Sequence, residues 1–450
     1  MRHRMSLFSL TAASVLMLVP LILVPSVSAS PSRAQAASAP AAQGACANMP
    51  SKPITLTYWD ATGLYLSDQG AATLDKEFMA KYPNVKVVRV PKAFATITST
   101  ERLAASGPNA PDVLVTNGGY VLLGPLVQAG LVLPLNKWAA GSGWNTRFTP
   151  PVLDQFRFAS DGSQWGVGSL YALPAGASFI GLYYNKTLLS KLGLQVPTTW
   201  AQFMSSLSKA KQAGIVPLAA GVQDGWPVVH MYTSLQDDIT PTSQINAFEF
   251  HSAHATFNTS QNLKAAKLAV QLVKDGYYSP NFLGQTSGAA IAQFAAGKAL
   301  YYIQGTYFAG PIYKGLGNNA GMTIVPPMAG SPYSVTGGPG LGYAISSKSA
   351  NPQVAACFID FRTGPQAATL YVGEGGLPAM NYKYTGSSTF IKSMFGAWAR
   401  ASKSLVPYLD FATPNLLTVL TSEIEELLGS KITPNQFVQQ VEQAYTQFTP

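Results

Sequence analysis

The sequence of 450 residues is poor in charge: 11% of its residues are charged and 47% are hydrophobic. This composition is typical of a folded globular chain rather than of a disordered one. The formal net charge of +9 comes from lysines and arginines that are scattered along the chain, whereas nucleic-acid binding would favour a cluster. No hydrophobic run after residue 29 resembles a transmembrane helix. The length and composition indicate a globular protein with about two domains.

Sequence motifs of common enzyme classes are also missing. No G-x-S-x-G motif marks a hydrolase nucleophile, and residues 338–342, GPGLG, lack the spacing of a dinucleotide-binding loop. Two of the four histidines, His251 and His254, have no third metal ligand near them in the sequence. We therefore expect no catalytic residue, no metal and no cofactor. The carboxylate pair of a glycoside hydrolase has no recognisable spacing, so an exported carbohydrate-active enzyme stays open as an alternative.

The N-terminal residues 1–29 have the pattern of a secretory signal peptide. Arg2 and Arg4 provide the basic start, residues 7–24 are apolar, and small residues provide a cleavage site. A retained membrane anchor is the alternative interpretation. Residues 30–53 are rich in Ala, Ser, Pro and Gln, which predicts a disordered leader. We expect an exported protein that is periplasmic or associated with the cell surface.

Only two cysteines are present, Cys46 in the leader and Cys357 far downstream. Export permits a disulfide between them. Lipid attachment at Cys46 is the other interpretation, since small residues precede it, but Gln43 stands where such a site usually has an aliphatic residue. The sequence leaves both open.

Strands and helices alternate in the first part of the predicted fold. Strands are predicted at 54–59, 85–90 and 112–116, and helices at 71–82, around 99–106 and at 122–129. This order is typical of an α/β domain with a mostly parallel sheet. Ligands bind beyond the carboxyl ends of the strands in such sheets. Asp60 and Asn117 follow or end two of these strands, so we expect them at the crevice, with a role in turns as the alternative.

Residues 171–200, YALPAGASFIGLYYNKTLLSKLGLQVPTTW, contain a strand and two helix signals. The strand spans 178–184, a short helix ends at Gly193, and a second helix begins near Trp200 with Thr198 or Thr199 as its N-cap. Further strands are predicted at 215–220, 299–303, 322–327 and within 337–346, and further helices at 261–275, 289–296, 351–363, 414–428 and 434–448.

Residues 171–200, followed by AKQAGIVPLAAG, resemble the extracellular solute-binding proteins of ABC transporters, specifically the sugar-binding family 1. Residues 289–310, AAIAQFAAGKALYYIQGTYFAG, are similar to a second segment of that family. Residues 337–379, from GGPGLGYAISSKSANPQVAACF to GEGGLPA, are similar to a third. The resemblance extends from about Ile54 to the C-terminus, and the segments occur in the same order as in the family.

The resemblance implies a two-lobed α/β fold of the type II periplasmic-binding-protein kind, with the ligand in a cleft between lobes joined by hinge segments. Pro174 and Pro326-Pro327 would flank the first two crossings. Cys357 would lie in the lobe that Cys46 precedes, which favours the disulfide. Lobe one would contain residues 54–172 with 328–365, and lobe two residues 176–325 with 368–450.

The resemblance also implies which side chains meet the ligand. Tyr307 stands where the family often has a Trp that stacks on sugar, because aromatic faces pack on the apolar face of a sugar ring. Ser178 stands where an acid or amide is frequent. Trp226 and Asp224 follow a strand, with packing and a turn as their alternatives. The predicted ligand-binding residues are Asp60, Asn117, Ser178, Asp224, Trp226, Tyr307, Gly337 and Gly338, the two glycines because they allow close approach of the backbone.

The function implied is that of a receptor of an ABC importer. It would capture a sugar or oligosaccharide by lobe closure and deliver it to a membrane permease, as a monomer and without binding nucleic acid. A binding protein for a polyamine or a metal chelate is the alternative within the same class. A polyamine would favour several acids, and the predicted crevice offers only Asp60 and Asp224.

Overall fold

The computed structural model describes residues 44–61, 64–223, 225–328 and 334–450. The predicted signal peptide and most of the predicted leader lie outside these ranges, as does Asp224. Within the described ranges, no helix combines the length and the apolar character that a membrane span requires.

Strands and helices alternate along the described chain, and their bounds are as follows. The strands are β1 (Ile54–Ala61), β2 (Val85–Lys92), β3 (Val113–Asn117), β4 (Arg157–Phe158), β5 (Ser169–Leu170), β6 (Ala172–Pro174), β7 (Ser178–Asn185), β8 (Val216–Ala219), β9 (Ala299–Gly305), β10 (Ala320–Thr323), β11 (Val335–Gly338), β12 (Leu341–Ile345) and β13 (Leu405–Val406). The α-helices are α1 (Asp68–Lys81), α2 (Phe94–Ser106), α3 (Leu123–Gln128), α4 (Asn136–Ala139), α5 (Trp144–Arg147), α6 (Pro150–Asp154), α7 (Lys186–Lys191), α8 (Trp200–Gln212), α9 (Pro227–Asp237), α10 (Thr242–Glu249), α11 (Ser260–Lys274), α12 (Ser287–Ala295), α13 (Ala309–Leu316), α14 (Pro352–Arg362), α15 (Pro365–Gly373), α16 (Thr389–Ala401), α17 (Leu416–Leu428) and α18 (Pro434–Thr446). Short 3₁₀ helices are η1 (Phe282–Gly284), η2 (Thr306–Phe308), η3 (Gly317–Asn319) and η4 (Leu409–Phe411).

The fold has two lobes, each built on one large sheet. Lobe one contains the sheet with strand order β2-β1-β3-β12-β6, in which β1, β2 and β3 are parallel and β12 is antiparallel to both of its neighbours. Lobe two contains the sheet β13-β11-β7-β9-β8, with β10 also paired to β7. The predicted parallel α/β arrangement is confirmed for the first three strands.

The chain passes from one sheet to the other at three places, the third of which lies in the helical segment between β12 and β13. The first lies between β6 and β7, immediately after Pro174. The second lies between β11, which pairs with β7, and β12, which pairs with β3. This second passage is at Pro339 and Gly340 rather than at Pro326-Pro327. The sequence predicts β11 in lobe one, but β11 forms hydrogen bonds within the sheet of lobe two. The other predicted boundaries of the two lobes stay predictions.

Several elements follow directly from local sequence signals. Helix α8 begins at Trp200, and the Thr199 hydroxyl accepts a hydrogen bond from the Gln202 N–H, which satisfies a donor of the first turn. Helix α9 was not predicted, because all of its eleven residues are buried and the sequence lacks an amphipathic period. The predicted strand at 322–327 ends at Thr323, ahead of Pro326-Pro327, since proline cannot donate to a ladder.

A disulfide joins Cys46 to Cys357 in α14. The pairing excludes lipid attachment at Cys46 in this form, because the thiol is occupied. The turn around Cys46 is also held by Gln353, whose side-chain amide donates to the carbonyls of Ala45 (2.7 Å) and Ala47 (2.8 Å). The end of the predicted leader is therefore fixed to lobe one.

Candidate functional site

A cavity lies where the two lobes meet, at the carboxyl ends of β3 and β9. Its empty space of about 500 Å³ includes space that is open to solvent. Lobe one contributes the segment after β1, the start of α2 and the end of β3; lobe two contributes α9, η2, η4 and α17. The lining residues are Leu64, Tyr65, Phe94, Asn117, Trp226, His230, Tyr307, Gly340, Leu341, Tyr408, Asp410, Phe411 and Leu417.

Aromatic rings form most of the wall on the side of lobe two. The ring centres of Trp226 and Tyr307 are 5.6 Å apart, and those of His230 and Tyr408 are 5.4 Å apart. From lobe one, the Phe94 ring meets Trp226 at 6.1 Å. These rings pack on one another at normal aromatic distances and leave faces toward the cavity. The cavity is therefore suited to a ligand with apolar faces.

Few polar groups project into this aromatic cavity. Asn117 ends β3 and is 7% exposed, and its side-chain amide has no hydrogen-bond partner among the described residues. Asp410 in η4 is 6% exposed, and burial raises its pKa to about 7. His230 is held neutral because burial lowers its pKa to about 3, and its Nδ1 atom has no partner within the described chain. An amide, a carboxyl and a neutral imidazole are therefore free to bind a ligand.

Tyr65 connects the segment after β1 to the second passage between the lobes. Its hydroxyl accepts a hydrogen bond from the Leu341 N–H at 3.2 Å. A Cβ atom at position 340 would overlap this hydroxyl, so the close approach requires Gly340. Tyr65 itself has φ of 66°, a conformation that is uncommon for a bulky residue. The strained backbone of Tyr65 therefore forms part of the cavity wall.

A second, larger cavity also has Tyr65 and Tyr307 in its wall. It contains about 1350 Å³ of empty space, including solvent. Its wall carries Ser67 and Glu374, whose carboxylate accepts hydrogen bonds from the Ser67 N–H (2.7 Å) and hydroxyl (2.8 Å), as well as the exposed Lys314. The two cavities are neighbours, because Tyr65 and Tyr307 belong to the walls of both.

Three predicted ligand-binding residues lie together on the wall of the first cavity: Asn117, Trp226 and Tyr307. Asp60 does not line it. Its carboxylate is 2.6 Å from Arg89 Nε and 3.7 Å from a guanidinium nitrogen of Arg362. The structure thus places Asp60 in a buried ion-pair network behind the wall.

The other predicted residues lie behind the wall or outside the described ranges. Ser178 is fully buried, and its hydroxyl is 2.6 Å from the hydroxyl of Tyr408, which does line the cavity. Gly337 and Gly338 belong to β11 and pair with Phe179 and Ser178. Gly338 has φ of 152°, and a side chain there would overlap the Gln155 amide, so its glycine serves packing. Asp224 lies outside the described residues.

Sequence reasoning missed most of the wall in lobe two. Tyr65 lies five residues beyond Asp60, the residue predicted at the crevice after the first strand. Tyr408 and Asp410 fall between predicted elements, in the sequence PYLDFAT. The signal that was available is a single acid among apolar and aromatic residues. His230 belongs to the fully buried α9, in which no periodicity marks a functional face.

Metal binding finds no support in the described part of the chain, where no three His, Cys, Asp or Glu side chains converge as a metal site requires.

Comparison with known proteins shows the family of the chain. A family model for bacterial extracellular solute-binding proteins matches residues 67–369, more than half of the chain. The chain belongs to this family. The expected family resemblance is thereby confirmed, and the family consists of binding proteins of exported type rather than of enzymes.

Individual members of this solute-binding family are similar over different lengths. The multiple sugar-binding protein of Streptococcus mutans is 28% identical over 215 residues, or 46% of this chain and 51% of that protein. The chain thus spans about half the length of this curated relative. A solved structure concerned with xylan utilization by Caldanaerobius polysaccharolyticus matches with a TM-score of 0.78 at 22% identity, covering 87% of this chain and 99% of the other. A chitin oligosaccharide binding protein matches with a TM-score of 0.76 at 22% identity, covering 88% and 98%. These structures confirm the two-lobed fold.

Proposed function

We propose that this protein is the sugar- or oligosaccharide-binding receptor of an ABC importer. The observation that carries the proposal is the cavity between the lobes, where the rings of Trp226 and Tyr307 from lobe two face the Asn117 amide from lobe one. Rings stack on the apolar face of a sugar, and polar side chains bind its hydroxyls. The names of the relatives, which include sugar-binding and chitin oligosaccharide binding proteins, agree with this choice.

Capture works through closure of the two lobes. A ligand that contacts Asn117 on lobe one and Trp226 or Tyr307 on lobe two binds the closed arrangement better than an open one, and it shifts the population toward closure by that difference in affinity. The passages after Pro174 and at Pro339 and Gly340 connect the sheets and serve as the hinge. We propose the lobe ranges that the resemblance implies, except that β11 belongs to lobe two.

The two neighbouring cavities support an oligosaccharide rather than a single sugar. The second cavity shares Tyr65 and Tyr307 with the first and carries Ser67, Gln69 and Lys314. One sugar unit fills the first cavity, and further units extend into the second.

Binding without chemistry follows from the carboxylates of the site. Asp410 is the carboxylate that lines the first cavity in the described chain, whereas glycoside hydrolysis requires a pair flanking the bond. We therefore propose that the protein is not an enzyme, that it acts as a monomer outside the cytoplasm after cleavage of its signal peptide, and that it delivers its ligand to a membrane permease. The disulfide between Cys46 and Cys357 agrees with an oxidising compartment.

The proposal is tested by titration calorimetry and thermal unfolding against a panel of neutral and amino mono- and oligosaccharides. A ligand at 100 times its dissociation constant stabilises the protein by about 2.7 kcal/mol, so a bound sugar raises the melting temperature. Absence of binding by every saccharide in the panel contradicts the proposal.

Tyr307→Ala removes a stacking ring, and we expect ligand binding to weaken by about 1 kcal/mol or more. The matched control is Tyr277→Ala, since Tyr277 is also partly buried but lies away from the cavity. The control should bind as the unmodified protein does, and unchanged affinity of Tyr307→Ala would place the sugar elsewhere.

A further inference from the structure

We propose that the sugar captured by this cavity carries a protonated amine, and that the carboxylate of Asp410 pairs with it. The inference rests on the proposed function and adds the class of sugar: an amino sugar or an oligosaccharide that contains one. Four features of the site carry it, namely the lack of partners of Asp410, the lack of cations in the described lining, the aromatic rings and the acceptor-only character of an ionised carboxylate.

Asp410 reaches the cavity without a partner. It lies in η4 between Leu409 and Phe411, and 6% of its surface is exposed. Among the described residues, no donor of another residue hydrogen-bonds its carboxylate and no cation pairs with it. A buried carboxylate normally has hydrogen bonds or an opposite charge. This carboxylate therefore has its binding capacity available for a ligand.

The surroundings of Asp410 contain further acids and no cation. Glu249 is fully buried and interacts electrostatically with both Asp410 and Asp237, and Asp238 is adjacent to Asp237 in the chain. None of these four acids forms an ion pair within the described ranges, and neither Lys nor Arg lines the cavity there. A positively charged ligand therefore meets no like charge at this wall.

The aromatic faces reinforce this preference. Tyr65, Trp226, Tyr307 and Tyr408 all line the cavity. A cation within about 6 Å of such a ring is attracted to its face, most strongly when water is excluded. An ammonium beside Asp410 would have the ring of Tyr408, two residues away in the chain, as its neighbour. Charge pairing and cation–π attraction then act on the same group.

An ammonium also matches the hydrogen-bonding capacity of Asp410. The Tyr307 hydroxyl donates to Gln304 Oε1 at 2.8 Å, and the Tyr408 hydroxyl is engaged with Ser178. The Asn117 amide, the His230 ring and the Trp226 indole N–H remain in the described lining as uncharged donors, while Asp410 supplies only acceptors when ionised. An ammonium has three donors and no acceptor, so it complements this carboxylate.

The test compares saccharides of one length that differ at one substituent: a glucosamine disaccharide, its N-acetylated form and cellobiose. Calorimetry is performed on the full chain at a pH at which the sugar amine is protonated. We expect the amine to bind at least about tenfold tighter than the other two. Equal or tighter binding of a neutral disaccharide overturns the inference while the proposed function survives. If no saccharide binds, both fail, and binding of spermidine alone would reassign the ligand to a polyamine.

Two variants identify the residue responsible. Asp410→Asn keeps the shape and removes the charge, so the preference for the amine should fall to within about twofold. Asp161→Asn, at an exposed acid outside the cavity, should keep the full preference. A persistent preference in folded Asp410→Asn contradicts the assignment. The comparison of ligands on the unmodified protein decides the inference even if that variant does not fold.

Discussion

Two groups of buried acids in this molecule differ in what neutralises them. In lobe one, Asp75 is 3.1 Å from a guanidinium nitrogen of Arg362, and Asp60 pairs with Arg89 as well as Arg362. In lobe two, the four acids Asp237, Asp238, Glu249 and Asp410 have no ion pair in the described chain. The acids of the two groups are similarly buried. The two groups therefore differ in whether an arginine lies beside the carboxylates, not in how deeply the acids are buried.

The difference teaches where to look for function. In a buried ion pair such as Arg362 with Asp75, each charge already has its partner in the folded protein. Removing one partner therefore lowers the free energy of unfolding. A buried acid that faces a cavity without an ion-pair partner can obtain that partner from a ligand. A shifted pKa is typical of acids at such functional sites. Asp60 was predicted at the ligand, yet it belongs to the ion-paired group; Asp410 was not predicted, yet it faces the cavity.

The largest effect is expected from Arg362→Met. Arg362 is 1% exposed, and its loss leaves Asp75 and Asp60 buried without this cation. Breaking a buried pair in this way costs about 3–5 kcal/mol of unfolding free energy, measured by urea unfolding. Arg362→Met combined with Asp75→Asn should recover part of the loss. A variant as stable as the original would show that the pair contributes little.

Removing the disulfide by Cys46→Ser and Cys357→Ser is expected to have the next largest effect. The bond connects positions separated by 311 residues and so restricts the unfolded chain, which predicts a loss of about 2–4 kcal/mol. Because Cys357 and Arg362 share α14, this variant tests how much of the stability of lobe one resides in that helix. Ligand affinity should not change; a large loss of affinity would mean that α14 also shapes the cleft.

The uncompensated acids predict an unusual pH dependence of stability. Burial raises the pKa of Asp237 and Asp410 to about 7 and that of Asp238 to about 8, from 3.8. The folded state then holds protons that the unfolded state has lost, so the free energy of unfolding falls as the pH rises toward 8. His230 acts in the opposite direction, but only below pH 6.5, since burial lowers its pKa to about 3.

The measurement is therefore urea unfolding between pH 6.5 and 8 in the absence of ligand. Each group contributes a slope of up to about 1.4 kcal/mol per pH unit. Asp238→Asn should reduce the slope, whereas Asp161→Asn, at an exposed acid, should not. Stability that rises with pH across this window would contradict the uncompensated state of these acids.

The smallest effect is expected from Ser178→Ala. Ser178 does not touch the cavity, but its hydroxyl bonds that of Tyr408. Loss of a buried hydrogen bond of this kind costs about 0.5–1.5 kcal/mol, and we expect part of it to appear as weaker ligand binding through a less fixed Tyr408. Calorimetry on Ser178→Ala and Ser178→Thr checks this, since the threonine keeps the hydroxyl. Equal affinity of all three proteins would limit Ser178 to packing.

The sequence predicted the longer strands and many of the helices because their signals are local, whereas the short strands β4, β5, β6 and β13 were not predicted. Thr199 as an N-cap and the parallel order of β1, β2 and β3 need only neighbouring residues. The partners of an acid are not local: Asp60 meets Arg362 across 302 positions of sequence, and Asp410 meets no cation among the residues that the structure describes. Which acid faces the cavity depends on the tertiary packing of η4 against α9 and α17, and no periodicity in the sequence records it.

The most direct test is a crystal structure of the protein with a bound glucosamine disaccharide. The account predicts a sugar ring packed on Trp226 or Tyr307 and the sugar nitrogen within about 3 Å of an Asp410 carboxylate oxygen. A disaccharide bound outside this cavity, or one whose amine points away from Asp410 while the carboxylate stays unpaired, would contradict it.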